Sequence, residues 1–138
     1  MTKVHVSTQL NVPAGEVWGL IGRWNALPEW HPAVLKSELS EDGKVRRLTL
    51  SGGGVIEECL ESADESRRTY TYAIKAGPLP VANYRATVAV KDEGDGATAV
   101  EWSSDFEARG SSEDEASAII REIYRGGLEN LKRIFGCA

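Results

Sequence analysis

The alternation of apolar and polar residues predicts that most of the chain forms β-strands. In segment 3–10, Val4, Val6 and Leu10 fall on one side and mostly polar residues on the other, as in a half-buried strand. Six further segments have strand-like composition and are separated by turn sequences: 33–40, 44–51, 54–62, 67–75, 82–92 and 97–107. Because most of these turns are short, consecutive strands are expected to pair antiparallel in one seven-stranded sheet.

Helical periodicity interrupts the strands after the first one and replaces them at the C-terminal end. Apolar residues recur at i, i+3, i+4 and i+7 in Val17, Leu20, Ile21 and Trp24. A short helix or turn at 27–32 is bounded by prolines, and Ser112–Glu115 has the sequence of a capping box that begins a long amphipathic helix. The pattern therefore predicts an α+β fold: strand, two short helices, six strands and a long C-terminal helix, in one domain covering residues 1–138.

Two charged residues fall on strand faces that are otherwise apolar. Arg46 shares its face with Leu48, and Glu58 shares its face with Ile56 and Leu60. A buried charge costs several kcal/mol unless it is paired, and the two residues lie on consecutive antiparallel strands. We therefore expect Arg46 and Glu58 to meet inside the protein. The competing interpretation is a register in which both side chains lie in solvent.

Three aromatic residues with polar atoms are predicted to face the same interior, namely Tyr72, Tyr84 and Trp102. Apolar walls with a few convergent polar groups are typical of small-molecule sites, so these residues could form a polar floor with the ion pair. A purely structural ion pair explains the pattern equally well. Gly126 and Gly127 interrupt the long helix, where each costs about 1 kcal/mol relative to alanine. They either leave space for a ligand or permit close packing of the helix on the sheet.

His31 lies between Trp30 and Pro32 and is the histidine that could act as a general base near neutral pH. The alternative is a surface or capping residue. Trp30 is interpreted as a core or pocket-rim aromatic and not as a stacking platform for nucleic acid. Motifs of the common nucleophilic, nucleotide-binding and metalloprotease sites are missing from the sequence.

Composition narrows the classes of partner. The 138 residues carry a net charge of −5, which argues against nucleic acid as a partner. The sequence has neither an apolar stretch long enough to span a membrane nor the apolar region of a secretory signal, so a cytoplasmic location is expected. Its two cysteines, Cys59 and Cys137, lie far apart and its histidines number two. We expect no disulfide, no metal site and no cofactor.

The order of elements resembles the START-like helix-grip superfamily, and local segments resemble its polyketide cyclase/dehydrase-type branch, often called SRPBCC. These segments are Ala14–Trp18, Trp24, Trp30–Pro32, Gly43 with Arg46 and Leu48, Glu58 with Leu60, Arg68 with Tyr70 and Tyr72, Pro78–Val81 with Tyr84, and Glu101–Trp102. The resemblance implies a curved sheet wrapped around the long helix, with a cavity for hydrophobic or aromatic ligands such as polyketides, lipids or hormones. Some members cyclise or dehydrate and many only bind, and no shared motif assigns catalytic residues here.

Three functions follow as hypotheses. The first is binding of a hydrophobic small molecule, with candidate ligand-binding residues Trp30, His31, Arg46, Glu58, Tyr72, Tyr84 and Trp102. The second is a cyclase or dehydratase in which Glu58 or His31 removes a proton while Arg46 or a tyrosine stabilises an enolate oxygen. The third is a protein-interaction role, which predicts an exposed apolar patch. The sequence leaves the ligand and the oligomeric state open, a homodimer included.

Overall fold

The described residues, 1–136 of a computed structural model, form seven β-strands and three helices. The strands are β1 (Thr2–Leu10), β2 (Val34–Leu39), β3 (Val45–Leu50), β4 (Val55–Asp64), β5 (Thr69–Ala76), β6 (Val81–Gly94) and β7 (Ala97–Ala108). They form one antiparallel sheet in the order β1-β7-β6-β5-β4-β3-β2. The predicted seven-stranded antiparallel sheet is confirmed.

The helices are α1 (Ala14–Ile21), α2 (Leu27–Trp30) and α3 (Glu113–Phe135). The predicted start of α3 is confirmed, because the Ser112 hydroxyl accepts a hydrogen bond from the Glu115 N–H at 3.1 Å. The first helix is shorter than its periodicity predicts. It ends at Ile21, and the loop residue Trp24 packs its ring against Tyr70 and Tyr72.

The long helix covers only part of the sheet. It packs mainly against β1 and β7, with a smaller contact to α2. Bulges in β2, β4 and β6 shift the strand registers, and bulges bend the strands that contain them. Among the described residues, α3 has its main strand contacts with β1 and β7, and a space remains between α3 and the inner faces of β3, β4 and β5.

Most of the predicted inward-facing apolar residues are buried, whereas Leu50, Leu60 and Ile74 are half-buried. The buried ones include Leu48, Ile56, Tyr70, Tyr72, Val88, Val90, Val100, Trp102 and Phe106. Cys59 lies half-buried in β4, whereas Cys137 lies outside the described residues, so the expected absence of a disulfide stays a prediction. Within residues 1–136, no helix combines the length and apolar character needed to cross a membrane.

Candidate functional site

A cavity of about 380 Å³ lies between α3 and the inner face of the sheet. Its apolar walls are Leu27, Val34, Leu48, Leu50, Ile56, Ile74, Leu79, Ile120 and Ile123. The lining residues exposed to solvent are Ala33, Ser51, Gly52 and Pro78, which places the mouth between the start of β2, the β3–β4 turn and the β5–β6 loop. The buried polar residues therefore form the floor, away from the mouth.

Arg46 and Glu58 form the ion pair expected from their strand faces. They are direct partners in the β3–β4 register. The Arg46 Nε donates to Glu58 Oε1 at 2.9 Å, and Arg46 Nη2 lies 2.8 Å from the same oxygen. Both side chains are buried, so the interpretation in which they lie in solvent is wrong.

The guanidinium of Arg46 is held behind the cavity wall and does not line the cavity. Its Nη1 donates to the backbone carbonyl of Trp24 at 2.6 Å, and its Cζ lies 3.7 Å from the centre of the Trp24 ring. The loop that carries Trp24 thus packs against the guanidinium, and neither Arg46 nor Trp24 is among the residues that line the cavity. Arg46 orients Glu58, and the enolate-stabilising role considered for Arg46 has no geometric support.

Glu58 presents the one carboxylate among the residues that line the cavity. Both of its contacts with Arg46 fall on Oε1, and no side-chain hydrogen bond within residues 1–136 involves Oε2. Burial raises the pKa of Glu58, because a charged carboxylate is poorly solvated there, while Arg46 acts in the opposite direction. The second carboxylate oxygen is therefore available to a hydrogen-bond donor in the cavity.

Three tyrosine hydroxyls complete the floor. Trp102 Nε1 donates to the Tyr72 hydroxyl at 3.0 Å, and the hydroxyls of Tyr84 and Tyr124 are hydrogen-bonded to each other. Burial raises the pKa of all three tyrosines, so their hydroxyls stay protonated at neutral pH. Tyr72 accepts from Trp102 and keeps its own hydrogen to donate.

Tyr124 is a cavity residue that strand alternation does not predict. It belongs to α3, and its ring stacks on Trp102 with ring centres 4.3 Å apart. In the sequence, Tyr124 is indicated only as a tyrosine among the aliphatic residues on the apolar face of α3. A hydroxyl at such a position needs a buried partner, and Tyr84 supplies it.

His31 lines the cavity but both of its ring nitrogens are occupied. Nε2 donates to the Ile123 carbonyl of α3 at 2.6 Å, while Nδ1 accepts from the Ala33 N–H at 3.2 Å. These partners fix the neutral tautomer with the proton on Nε2. His31 is 2% exposed, so the surface interpretation is wrong, and no lone pair is left for a general base.

The stability of the protein should depend on the protonation of His31. Burial lowers the pKa of His31 below 6.5, and the hydrogen bond to Ile123 offsets this only in part. As pH falls below 6.5 the unfolded chain binds a proton before the folded protein does. The free energy of unfolding therefore decreases as the pH is lowered, by up to about 1.4 kcal/mol per pH unit for this group.

Urea denaturation of wild type and His31→Gln between pH 5 and pH 8 checks this expectation. The difference between variant and wild type isolates the contribution of His31 from that of Glu58. We expect this difference to shrink as pH falls. A constant difference for His31→Gln would contradict the assigned tautomer and its burial.

Gly127 provides close packing and not ligand space. A Cβ at Gly127 would lie 2.7 Å from His31 Cδ2 and 3.1 Å from both Trp30 and Trp102. At Gly126 the nearest atom would be His31 Cε1 at 3.7 Å, an ordinary contact. Trp30 is 1% exposed, packs against Trp102 and does not line the cavity.

Of the seven candidate residues, the structure places five on the cavity wall: His31, Glu58, Tyr72, Tyr84 and Trp102. Arg46 and Trp30 support this wall from behind. No group of three or more His, Cys, Asp and Glu side chains in residues 1–136 is arranged to hold a metal ion.

Solved structures share the whole fold. XoxI from Bacillus cereus is 38% identical, with a TM-score of 0.95 over 98% of this chain and 96% of that chain. The Zhui aromatase/cyclase from Streptomyces sp. R1128 is 20% identical, with a TM-score of 0.77 over 99% of this chain and 98% of that one. A START superfamily protein from Mycobacterium smegmatis is 15% identical, with a TM-score of 0.69 over 96% and 93% of the two chains. The latter two likenesses establish the helix-grip fold alone.

The family assignment rests on the sequence as well as on this fold. No curated protein matches the sequence. Residues 1–136 match the family described as polyketide cyclase / dehydrase and lipid transport. The chain therefore belongs to the polyketide cyclase / dehydrase and lipid transport family.

Proposed function

We propose that the protein binds a hydrophobic or aromatic small molecule in the cavity between the sheet and α3. The observation that carries this proposal is an apolar cavity of about 380 Å³ whose floor holds Glu58 and tyrosine hydroxyls. Apolar burial contributes about 25 cal/mol per Å² removed from water, which supplies affinity. The polar floor supplies orientation, the usual division of labour in small-molecule sites.

The family supports a small-molecule site at this place in the fold. Its description joins polyketide cyclisation and dehydration with lipid transport, and an apolar cavity is the usual site for ligands with large apolar parts. The geometry favours binding over catalysis because Arg46 holds one oxygen of Glu58 and both nitrogens of His31 are occupied. A general base needs a free lone pair, and here that leaves only the second oxygen of Glu58.

Acid–base catalysis is the second candidate function, favoured by that free oxygen. Glu58 Oε2 would remove a proton next to a ligand carbonyl, and the Tyr72 hydroxyl would donate to the resulting enolate oxygen. The raised pKa of Glu58 suits a base that works near neutral pH, although Arg46 opposes the rise. A cyclisation with dehydration would release a product lighter than its substrate by one water.

Native mass spectrometry with a panel of polyketide-like, phenolic and lipid compounds tests both functions. We expect a retained compound of unchanged mass if the protein is a carrier, and a compound lighter by one water if it is an enzyme. No retained compound would contradict the binding proposal. Replacing Glu58 is not the first choice of control because the change leaves Arg46 unpaired.

Blocking the mouth gives a more specific control. Ala33 is exposed and lines the cavity, and its backbone N–H, not its side chain, bonds to His31. Ala33→Trp is therefore expected to weaken binding at least 10-fold while folding is retained. Ala118→Trp, at an exposed position of α3 outside the cavity lining, should bind like wild type. Equal affinity in both variants would contradict entry through this mouth.

A further inference from the structure

The described residues that line the cavity include a negatively charged side chain and no positively charged one. Among the described residues that line it, Glu58 carries a carboxylate, His31 is held neutral, and no lysine or arginine is present. The nearest cation, Arg46, bonds to Glu58 Oε1 and to the Trp24 carbonyl and lies against the Trp24 ring. A negatively charged ligand would thus meet a carboxylate and find no free cation.

A positively charged ligand is not favoured either. The charge of Glu58 is already balanced by Arg46 at 2.8 Å, so the pair as a whole is neutral. An ammonium group in the cavity would lose its hydration and gain only part of the attraction of a free carboxylate. The arrangement is suited to an uncharged ligand.

The hydrogen-bonding groups of the floor specify the polar end of that ligand. Glu58 Oε2 can only accept, so it requires a donor such as O–H or N–H. Tyr72 retains a hydrogen to donate because its oxygen accepts from Trp102, and one of the paired hydroxyls of Tyr84 and Tyr124 also retains one. The matching ligand group carries a donor and an acceptor close together.

We infer that the cavity selects uncharged ligands whose polar end bears both a hydrogen-bond donor and an acceptor, and that it rejects carboxylates, fatty acids included. This inference rests on the proposed binding function and narrows it to a ligand class. It distinguishes uncharged ligands from carboxylates, which an apolar cavity alone would accept equally.

Four probes with the same ring system test the inference by calorimetric titration at pH 7. 2-Naphthamide is uncharged with a donor and an acceptor, and methyl 2-naphthoate lacks the donor. 2-Naphthoate is anionic, and 2-(aminomethyl)naphthalene is cationic. We expect the amide to bind most tightly, the ester about 10-fold more weakly and the carboxylate at least 100-fold more weakly, because the anion would lose its hydration and find no unpaired cation in the cavity lining. The cation is expected to bind about 10-fold more weakly than the amide.

Glu58→Gln is the matched variant, because it removes the carboxylate and keeps the shape. It also leaves the charge of Arg46 unbalanced, so the ratio of naphthoate to naphthamide affinity should rise at least 10-fold. Circular dichroism establishes whether the variant is folded. The four titrations of the wild-type protein decide the inference even if the variant does not fold.

The outcomes separate this inference from the proposed function. Naphthoate or the cation binding as tightly as the amide overturns the inference and leaves the binding function in place. An unchanged affinity ratio in folded Glu58→Gln also overturns it. No binding of the amide overturns the inference, and it overturns the proposed function as well only if the wider panel is not retained.

Discussion

Replacing Arg46 with methionine is expected to lower the free energy of unfolding by about 3–5 kcal/mol. The change removes the one cation that, within residues 1–136, contacts the buried carboxylate of Glu58. The uncompensated charge of Glu58 must then be neutralised by protonation or reached by water, and either costs stability. Urea denaturation at pH 7 measures the loss.

Two controls establish that the loss comes from an unpaired charge. Arg46→Met combined with Glu58→Gln removes both charges and should recover at least half of the stability, giving a positive coupling energy in a double-mutant cycle. Arg85→Met breaks the pair between Arg85 and Glu61, whose side chains are 61% and 33% exposed, and should cost under about 1 kcal/mol. If Arg46→Met lowered the free energy of unfolding as little as Arg85→Met does, the result would contradict the burial of the Arg46–Glu58 pair.

Alanine at Gly126 and at Gly127 should change stability in opposite directions. Gly126→Ala is expected to stabilise the protein by about 0.5–1 kcal/mol, because alanine favours the helix and its methyl group meets only an ordinary contact. Gly127→Ala is expected to destabilise it by about 1–3 kcal/mol, because the methyl group would overlap His31 at 2.7 Å. The His31 ring cannot move away without losing its hydrogen bonds to Ile123 and Ala33.

Thermal and urea denaturation of the two variants measure these effects under the same conditions. The pair is well matched because the substitutions are chemically identical and adjacent on one helix. Equal stabilisation by both would show that α3 stands further from α2 than the structure places it. Gly127→Ala should also shift the pH dependence contributed by His31, whereas Gly126→Ala should not.

Strand alternation predicted which side chains face inward, and this was sufficient to find the ion pair. Arg46 and Glu58 were identified because a charge on an apolar face requires a partner on the next strand. The same reasoning could not tell that Arg46 lies behind the wall. Alternation specifies the face on which a side chain lies but not whether it reaches the cavity. The guanidinium of Arg46 is bonded to Trp24, a loop residue that follows the early end of α1.

The contribution of α3 was harder to predict. A helix stripe shows which side is apolar, but its rotation over the sheet depends on packing between residues far apart in the sequence. His31 and its partner Ile123 are 92 residues apart, and Tyr84 and Tyr124 are 40 apart. Neither hydrogen bond leaves a local signal, so the role of His31 and the presence of Tyr124 in the cavity became clear only from the structure.

Occupation of the cavity is tested most directly by ¹⁵N–¹H spectra recorded while 2-naphthamide is added. The sequence contains four tryptophans, and the indole N–H of Trp102 lies at the cavity floor, whereas that of Trp18 bonds to Glu65 outside the cavity lining. We expect the Trp102 indole signal and the backbone amides of residues 51–54 to shift, with Trp18 unchanged. Shifts confined to the outer face of the sheet, around Arg47 and Glu57, would contradict ligand binding in the cavity. No shifts at all would contradict the inferred ligand class, and would contradict the cavity as a binding site if the wider panel of compounds is not retained either.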